Sequence, residues 1–275
     1  MHTTASDGHS SPEALVAEVS AAGCRTIAVT DHDTVAGVPG VREAAVRAGV
    51  SFIPGIEVTA VAEGVDVHVL GYFIDITDAS LAEFLGAQRE RRRDRVVAMG
   101  DRLRQAGVPV DVTSILAVPA DSGRSVGRPA VAQALVAAGH AEDIADAFTR
   151  FLTEGRPGYV PRTGPNPAEV IERLRAAGGV SSLAHPGKLR RDHLIASMID
   201  AGLDAIEVYH SDHTVADIVR YQTLADRHGV VVTGGSDYHG PGSGRVTGLG
   251  VVGLPPVAFE RLTAHAGRMR EGDGR

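Results

Sequence analysis

The sequence is 275 residues long, enough for one large core or a core with a modest insertion. Apolar residues make up 43% and charged residues 22%, as in soluble globular proteins, and no apolar run reaches the roughly 18 residues a bilayer span needs. The net charge of −7 argues against an extended basic face for duplex nucleic acid, and a single cysteine, Cys24, excludes a disulfide framework or a thiolate metal site.

In chain order, Ser11 and Pro12 open a helix as N-cap and first helical residue, and Gly23 stops it near Ala22. Cys24 follows in a helix-to-strand loop, where a buried inert thiol is expected. Thr26 to Thr30 is a strand, Gly40 to Ala48 a helix, and Val65 to Phe73 an alternating strand with His68 inside it. The rhythm then turns helical. Ser80 to Ala106 is one long helical pattern carrying the basic run Arg89 to Arg95, whose interleaved acids predict a solvated face. Shorter helices are predicted over Arg128 to Ala138 and Ile144 to Leu152, followed by Pro- and Gly-rich turns. Strand–helix alternation resumes at Ala168 and runs to Gly253. The chain therefore divides into barrel segments at 1–78 and 164–275, with a helical insertion at 79–163. With no basic, apolar leader at its start, a cytoplasmic location is expected.

Five apolar strands run into polar, metal-type residues. Thr26 to Thr30 leads to Asp31, His32 and Asp33; Ser51 to Ile56 to Glu57; Gly179 to Ala184 to His185; Asp204 to Tyr209 to His210; and Val231 to Ser236 to Asp237 and His239. Repeated strand endings of this kind predict an α/β parallel barrel with its chemistry at the carboxy ends of the strands. The candidate metal ligands are His2, Asp7, His32, Glu57, His68, His185, Asp237 and His239. Any one histidine on an apolar strand is more often a satisfied core residue than a ligand. Three carboxylates and five imidazoles at one barrel mouth are another matter, because buried carboxylates must be paired or bind metal. Nitrogen and oxygen donors without thiolate suit manganese, iron or zinc, and eight side chains suit two or three ions. Closely spaced ions can bind a phosphoryl group, activate water and stabilise a leaving oxygen. The lack of tryptophan and an aromatic content of 4% favour small polar esters over bulky acyl substrates.

Thr3 to Gly8, Thr30 to Asp33, Gly55 to Val58, His68 to Gly71, Ala184 to Gly187 and Gly235 to His239 together resemble the ordered motifs of the polymerase and histidinol phosphatase (PHP) superfamily. The similarity is greatest to its bacterial nucleotide-directed branch, which includes AMP and 3′,5′-bisphosphate phosphatases and a 5′-3′ exoribonuclease. The resemblance implies a distorted barrel of seven βα units around two or three divalent ions, manganese first, with iron or zinc as alternatives. It implies that His2, Glu57 and Asp237 serve one ion, Glu57 with His68 and His185 a second, and Asp7, His32 and His239 a third. It further implies phosphate binding by Arg128 and Arg156, and a catalytic and substrate-binding role for His213, which would protonate the leaving oxygen beside Asp237. His210 is a candidate support behind a ligand, and Asp31 and Asp33 either orient His32 or cap its turn.

One departure stands out. Family members begin with a short strand ending in His-x-His, whereas here Met1 and His2 open the sequence, so the first strand and first histidine are expected to be missing. The implied activity is metal-dependent hydrolysis of phosphate esters of nucleotides or of short RNA or DNA 5′ ends, without a stable duplex complex or a membrane. A non-catalytic metal-binding module and a histidinol-phosphate-type phosphatase are the alternatives, and the oligomeric state is left open.

Overall fold

The computed structural model describes residues 1–117, 119, 122–243 and 248–272. Six strands form one sheet in sequence order: β1 (Thr26–Val29), β2 (Ser51–Ala62), β3 (Val65–Tyr72), β4 (Val180–Leu183), β5 (Ala205–His210) and β6 (Val231–Gly235). The sheet is not the all-parallel one that the strand endings suggested. β3 runs antiparallel to both β2 and β4, while the other neighbours are parallel. The cause is local. Only Glu63 and Gly64 join β2 to β3, both at positive φ (50° and 75°), the two-residue geometry of a tight hairpin. A parallel neighbour would need a crossover of a dozen or more residues. The hairpin also makes β2 longer than expected, so Glu57 sits within a strand instead of at its end.

Helices cover the sheet where the sequence caps them. Helix α1 (Pro12–Ala21) starts at Ser11, whose hydroxyl accepts the Ala14 N–H, and α2 (Val38–Ala48) ends at Gly49 in the left-handed region. Helices α7 (Pro167–Ala176) and α10 (Val215–His228) each begin with a reciprocal capping box, Asn166 with Glu169 and Thr214 with Asp217. The main core joins Ile56, Val58, Val67 and Val69 of the hairpin to Val170, Ile171 and Leu174 of α7. Leu174 is fully buried, and truncating it to alanine should cost about 2–5 kcal/mol.

Between β3 and β4 the chain holds α3 (Ala79–Gln105), α4 (Thr113–Leu116), α5 (Arg128–Ala137) and α6 (Ile144–Ala147), the last continuing into a π turn at Phe148–Leu152. Val96, Met99, Leu103, Val131, Leu135, Phe151 and Leu152 form an apolar cluster of their own there. The basic run on α3 is not the solvated face that its charge pattern predicted. Arg92 is buried on Asp33, and Arg95 donates Nε–H to the Val160 carbonyl at 2.9 Å.

The two outer strands face each other across the start of the chain. The Thr30 N–H donates to the Met1 carbonyl at 2.8 Å, and the His2 N–H donates to the Tyr238 carbonyl at 2.8 Å. Beneath this bridge lies a cavity of about 520 Å3, lined by Ala28 on one side, Gly234 on the other, and Leu70, Tyr72 and Phe259 below. Cys24 also lines it and is half-buried, not enclosed as expected. Three further helices complete the second half: α8 (Pro186–Leu189) and α9 (His193–Asp200) lie between β4 and β5, and α11 (Pro256–Gly272) follows β6.

Candidate metal centre

The eight side chains singled out in the sequence converge on one mouth of the sheet. Glu57 is the hub. Its Oε1 lies 2.6 Å from His68 Nδ1 and 3.2 Å from His185 Nε2, and its Oε2 lies 3.1 Å from His2 Nε2. His2 Nε2 is also 3.1 Å from Asp237 Oδ1. Asp7 gathers the remaining rings, with His239 Nε2 at 3.4 Å, His2 Nδ1 at 3.5 Å and His32 Nε2 at 3.8 Å. Three sets have donor atoms within 4.8 Å of one another: His2, Asp7, His32 and His239; His32, Glu57 and His68; and His2, Glu57 and Asp237. The third coincides with one trio implied by the resemblance. The first adds His2 to another, and His32 stands where His185 was expected in the remaining one.

Local structure explains the convergence. The Thr3–Gly8 loop is clasped by Asp31, whose carboxylate accepts the Thr3 N–H and Thr3 hydroxyl at 2.7 Å each and the Ser6 hydroxyl at 2.6 Å. Gly8 lies so close to the His2 backbone that a Cβ there would fall 2.4 Å from its carbonyl carbon. Asp33 accepts the Thr59 N–H at 2.9 Å and pairs with Arg92. The Asp-His-Asp run is therefore one candidate ligand between two struts. Asp33, His185 and Asp237 all have positive φ (52°, 29° and 50°), a conformation that costs non-glycine residues about 1–3 kcal/mol and persists when surroundings over-determine it.

The donors fit a cluster of divalent ions. Buried nitrogens of His32, His68, His185 and His239 have no hydrogen-bond partner among the described residues, although carboxylate oxygens lie close by. His239 Nδ1 is 2.7 Å from the Asp237 backbone carbonyl and donates to it, which leaves the Nε2 lone pair for a metal. Without metal the charges must be shared among the side chains. Burial opposes charge on His2, but Asp237 and Glu57 outweigh it and push the imidazole up to about 10. Burial likewise opposes ionisation of Glu57 and Asp7, yet the imidazoles packed around them hold both carboxyls well below their usual range. His32 itself is driven well below its ordinary value by burial and by like charge on His2 and His68. A metal ion replaces these shared protons with fixed charge.

Two of the expected substrate residues stand apart from the ligand cluster. Arg156 is exposed on the Thr153–Gly158 turn, closed by its own N–H to the Thr153 carbonyl at 3.0 Å, and is not brought to the cluster. His213 has both nitrogens engaged: Nδ1 with the Val208 carbonyl at 2.8 Å, and Nε2 accepting the Gly187 N–H at 3.1 Å. Burial lowers its pKa, and the ring clasps the turn after His185.

Glu207, Lys188 and Arg162 escaped the sequence reading, whereas His210 and Arg128 were singled out there. Glu207 accepts the His185 N–H at 2.8 Å, and burial pushes its carboxyl up to about 7. An acid in the middle of the apolar strand Ala205 to Tyr209 was the available signal. Lys188, the single lysine of the sequence, lies 3.8 Å from Asp237 Oδ2 and 3.2 Å from Asp212. His210 Nε2 is 3.8 Å from the same Asp237 oxygen. Beyond His68 stands an arginine wall. Arg128 reaches Asp66 at 2.9 Å, and Arg162 reaches Asp66 at 3.2 Å and Asp33 at 3.9 Å. Burial and then neighbouring Arg92 lower Arg162 to about 9, and burial with Arg128 lowers Arg95 to about 10.

Similarity to known proteins agrees with this geometry. The model of the PHP domain matches residues 1–108. The 5′-3′ exoribonuclease Rnm of Salmonella typhimurium is 36% identical over 249 residues, covering 87% of this chain and 84% of that protein. The chain belongs to the PHP family. A second PHP relative, the 3′,5′-nucleoside bisphosphate phosphatase of Chromobacterium violaceum, is 32% identical over 261 residues, 93% of this chain and 91% of its own. A solved structure from Bifidobacterium adolescentis, described as a metal-dependent phosphoesterase, matches with a TM-score of 0.86 at 36% identity, over 96% of this chain and 93% of that one. This PHP chain is accordingly a hydrolase of phosphoric esters that works with divalent metal ions. Among the described residues, no helix is long and apolar enough to cross a membrane.

Proposed function

We propose that this PHP chain hydrolyses phosphate esters of nucleotides or of short oligonucleotide 5′ ends, using two or three ions held by His2, Asp7, His32, Glu57, His68, His185, Asp237 and His239. Manganese is the ion best suited to this nitrogen and oxygen donor set, ahead of iron or zinc. The observation that carries the reading is the pairing of two opposite surfaces: a carboxylate–imidazole cluster centred on Glu57, and the arginine wall beside it. When bound, the ions supply Lewis acidity and a water acidic enough to attack at neutral pH. The chain's own groups do the rest. Arg128 and Arg162 orient the anionic substrate from the His68 side, where their charge is already drawn in by Asp66 and Asp33. Lys188, beside Asp237, is the donor nearest the opposite edge, and its compact ammonium can stabilise the departing oxygen. Gly187, pinned by His213, keeps His185 aimed at Glu57.

The relatives named for nucleoside bisphosphates and for RNA support the nucleotide class without choosing between its members. Purified manganese-loaded protein assayed on AMP, adenosine 3′,5′-bisphosphate and a 5′-labelled short RNA tests the reading. Release of phosphate alone makes it a phosphatase, and stepwise release of mononucleotides makes it an exonuclease. Failure to hydrolyse any of the three with metal demonstrably bound refutes the proposal.

A further inference from the structure

Glu18 of α1 belongs to none of the three donor sets, yet it is tied to both chain segments that carry ligands into the mouth. Its carboxylate accepts the Ser10 hydroxyl, 2.9 Å from Oε1 and 3.1 Å from Oε2, and the Tyr238 hydroxyl at 3.0 Å. Ser10 follows the loop that brings in His2 and Asp7, and Tyr238 stands between Asp237 and His239. We propose that Glu18 is a positioning residue. By joining Ser10 to Tyr238 it fixes the spacing of these two segments, and with it the affinity for the ions they share. The inference rests on the metal-dependent phosphoesterase reading above and adds a group outside the donor sets.

The two segments are paired through their backbones. The His2 N–H donates to the Tyr238 carbonyl at 2.8 Å, and the His9 N–H donates to the His239 carbonyl at 2.7 Å. Within the first segment the Thr4 N–H donates to the Ser10 carbonyl at 3.1 Å, which closes the loop around Asp7. Packing at Ser10 is tight: a Cβ on Gly240 would fall 2.7 Å from its Oγ and 3.0 Å from its N. Tyr238 packs against the apolar cluster that includes Leu15, Val16 and Val19, so its ring and its hydroxyl are both anchored on α1. Asp237, one residue earlier, is held at a φ of 50°, a conformation that persists where neighbours over-determine it. The doubly anchored Tyr238 supplies that constraint, and Glu18 is the acceptor that completes it.

The donor sets say which ions should feel the joint. His2, Asp7, His32 and His239 draw on both segments, as do His2, Glu57 and Asp237, whereas His32, Glu57 and His68 draw on neither. Loosening the joint therefore weakens ions of the first two sets and spares the third. A hydrogen bond that merely held α1 in place would show no such selectivity. The carboxylate suits the task because charge-assisted hydrogen bonds are stronger than neutral ones, and its two oxygens can serve both hydroxyls at once.

The test is calorimetric titration of manganese into the metal-free protein, with the bound ions counted by metal analysis. Glu18→Ala should weaken the ions shared by the two segments about tenfold, the scale of losing a group that orients metal ligands. The ion of the His32, Glu57 and His68 set should bind as in the wild type. Glu18→Gln keeps an acceptor oxygen and should recover part of the loss, which a role in packing alone would not predict. Should Glu18→Ala not fold, Tyr238→Phe removes only the hydroxyl and should show the same selective weakening. Unchanged manganese affinity in a folded variant, or equal weakening of every ion, overturns the positioning role and leaves the phosphoesterase reading standing. A wild type that binds no manganese at all would overturn both.

Discussion

On the barrel side of the site, Asp7, Glu57 and Asp237 crowd five imidazoles into contacts that protons alone satisfy poorly. On the insertion side, Arg92, Arg95, Arg128 and Arg162 surround Asp33 and Asp66. One wall gathers carboxylate and imidazole donor atoms, and the other has more guanidinium than carboxylate. The two need different things from a ligand, metal ions in one case and an anion in the other, so mutations on each side should fail in different ways. Asp33 connects them: its backbone follows His32, and its carboxylate holds Arg92.

The largest effect is expected on the barrel side. Asp237→Ala should lower kcat by about a thousandfold or more, since losing an ion's Lewis acidity removes several kcal/mol of transition-state stabilisation. Metal analysis should show fewer ions bound, and circular dichroism an unchanged fold. His185→Ala should act in the same way. Substantial activity with full metal content would place both outside the centre.

Mutations in the arginine wall should spare the metals. Arg128→Ala and Arg162→Ala should each reduce kcat/KM on nucleotide substrates by about ten- to a hundredfold, the value of a charge-assisted contact. The defect should shrink on an aryl phosphate, while Arg156→Ala, exposed on its turn, should change little. Equal losses on both substrates would make the wall structural and erase the contrast between the two sides.

The cavity beneath Met1 offers a stability test. Adding an apolar-Asp-Leu-His-Thr segment ahead of His2, in place of Met1, should fill the space between β1 and β6 and add an imidazole beside His2. Both changes favour only the native state. Tm should rise by several degrees, at about 2–4 °C per kcal/mol, with metal occupancy rising too. An unchanged Tm would show that the slot does not accept a strand.

The smallest effect is a pH profile of the metal-free protein. His2, held up to about 10, and Glu207, held up to about 7, stabilise fully below their unfolded values of 6.5 and 4.5, and that contribution is lost as pH rises through 7 and then 10. Asp7 and Glu57 have depressed values, so their contribution is present above 3.8 and 4.5 and is lost on acidification. Tm measured with chelator should therefore decline from 6.5 toward 10, where His2 and Glu207 still hold protons that the unfolded chain has released. Adding metal should flatten the alkaline limb, because bound ions displace the His2 proton. A flat metal-free profile from 6.5 to 10 would show that His2 is not coupled to the carboxylates.

Part of the candidate donor set was legible because some members interrupt or end an apolar run. His32, Glu57, His185 and Asp237 are polar residues where a strand should bury side chains, and such residues are retained only if something satisfies them. Of the arginine wall, Arg128 was expected from the family resemblance, but Arg92, Arg95 and Arg162 were not legible as site residues. On α3, Arg89 to Arg95 has the alternating charges of a solvent-facing helix, and Arg92 is buried only because Asp33, 59 residues earlier, comes to meet it. Arg162 sits in a linker with no periodicity to give it away. His213 was assigned a substrate role by the family resemblance, and the backbone carbonyl and N–H that hold its ring are contacts no sequence pattern reveals.

By itself the sequence determined the capped helices, the apolar strands, the identity of the donor atoms and hence the class of chemistry, because these depend on local propensity and on the cost of burying charge. Only the tertiary structure decided the direction of β3, the pairing of Asp33 and Asp66 with distant arginines, and the clasping of His213. The arginine pairings join segments far apart in the chain, His213 is held by Val208, five residues before it, and by Gly187, 26 residues before it, and the two-residue link of the hairpin left no room for a crossover. Local patterns record what a residue needs, and the fold records which partner supplies it.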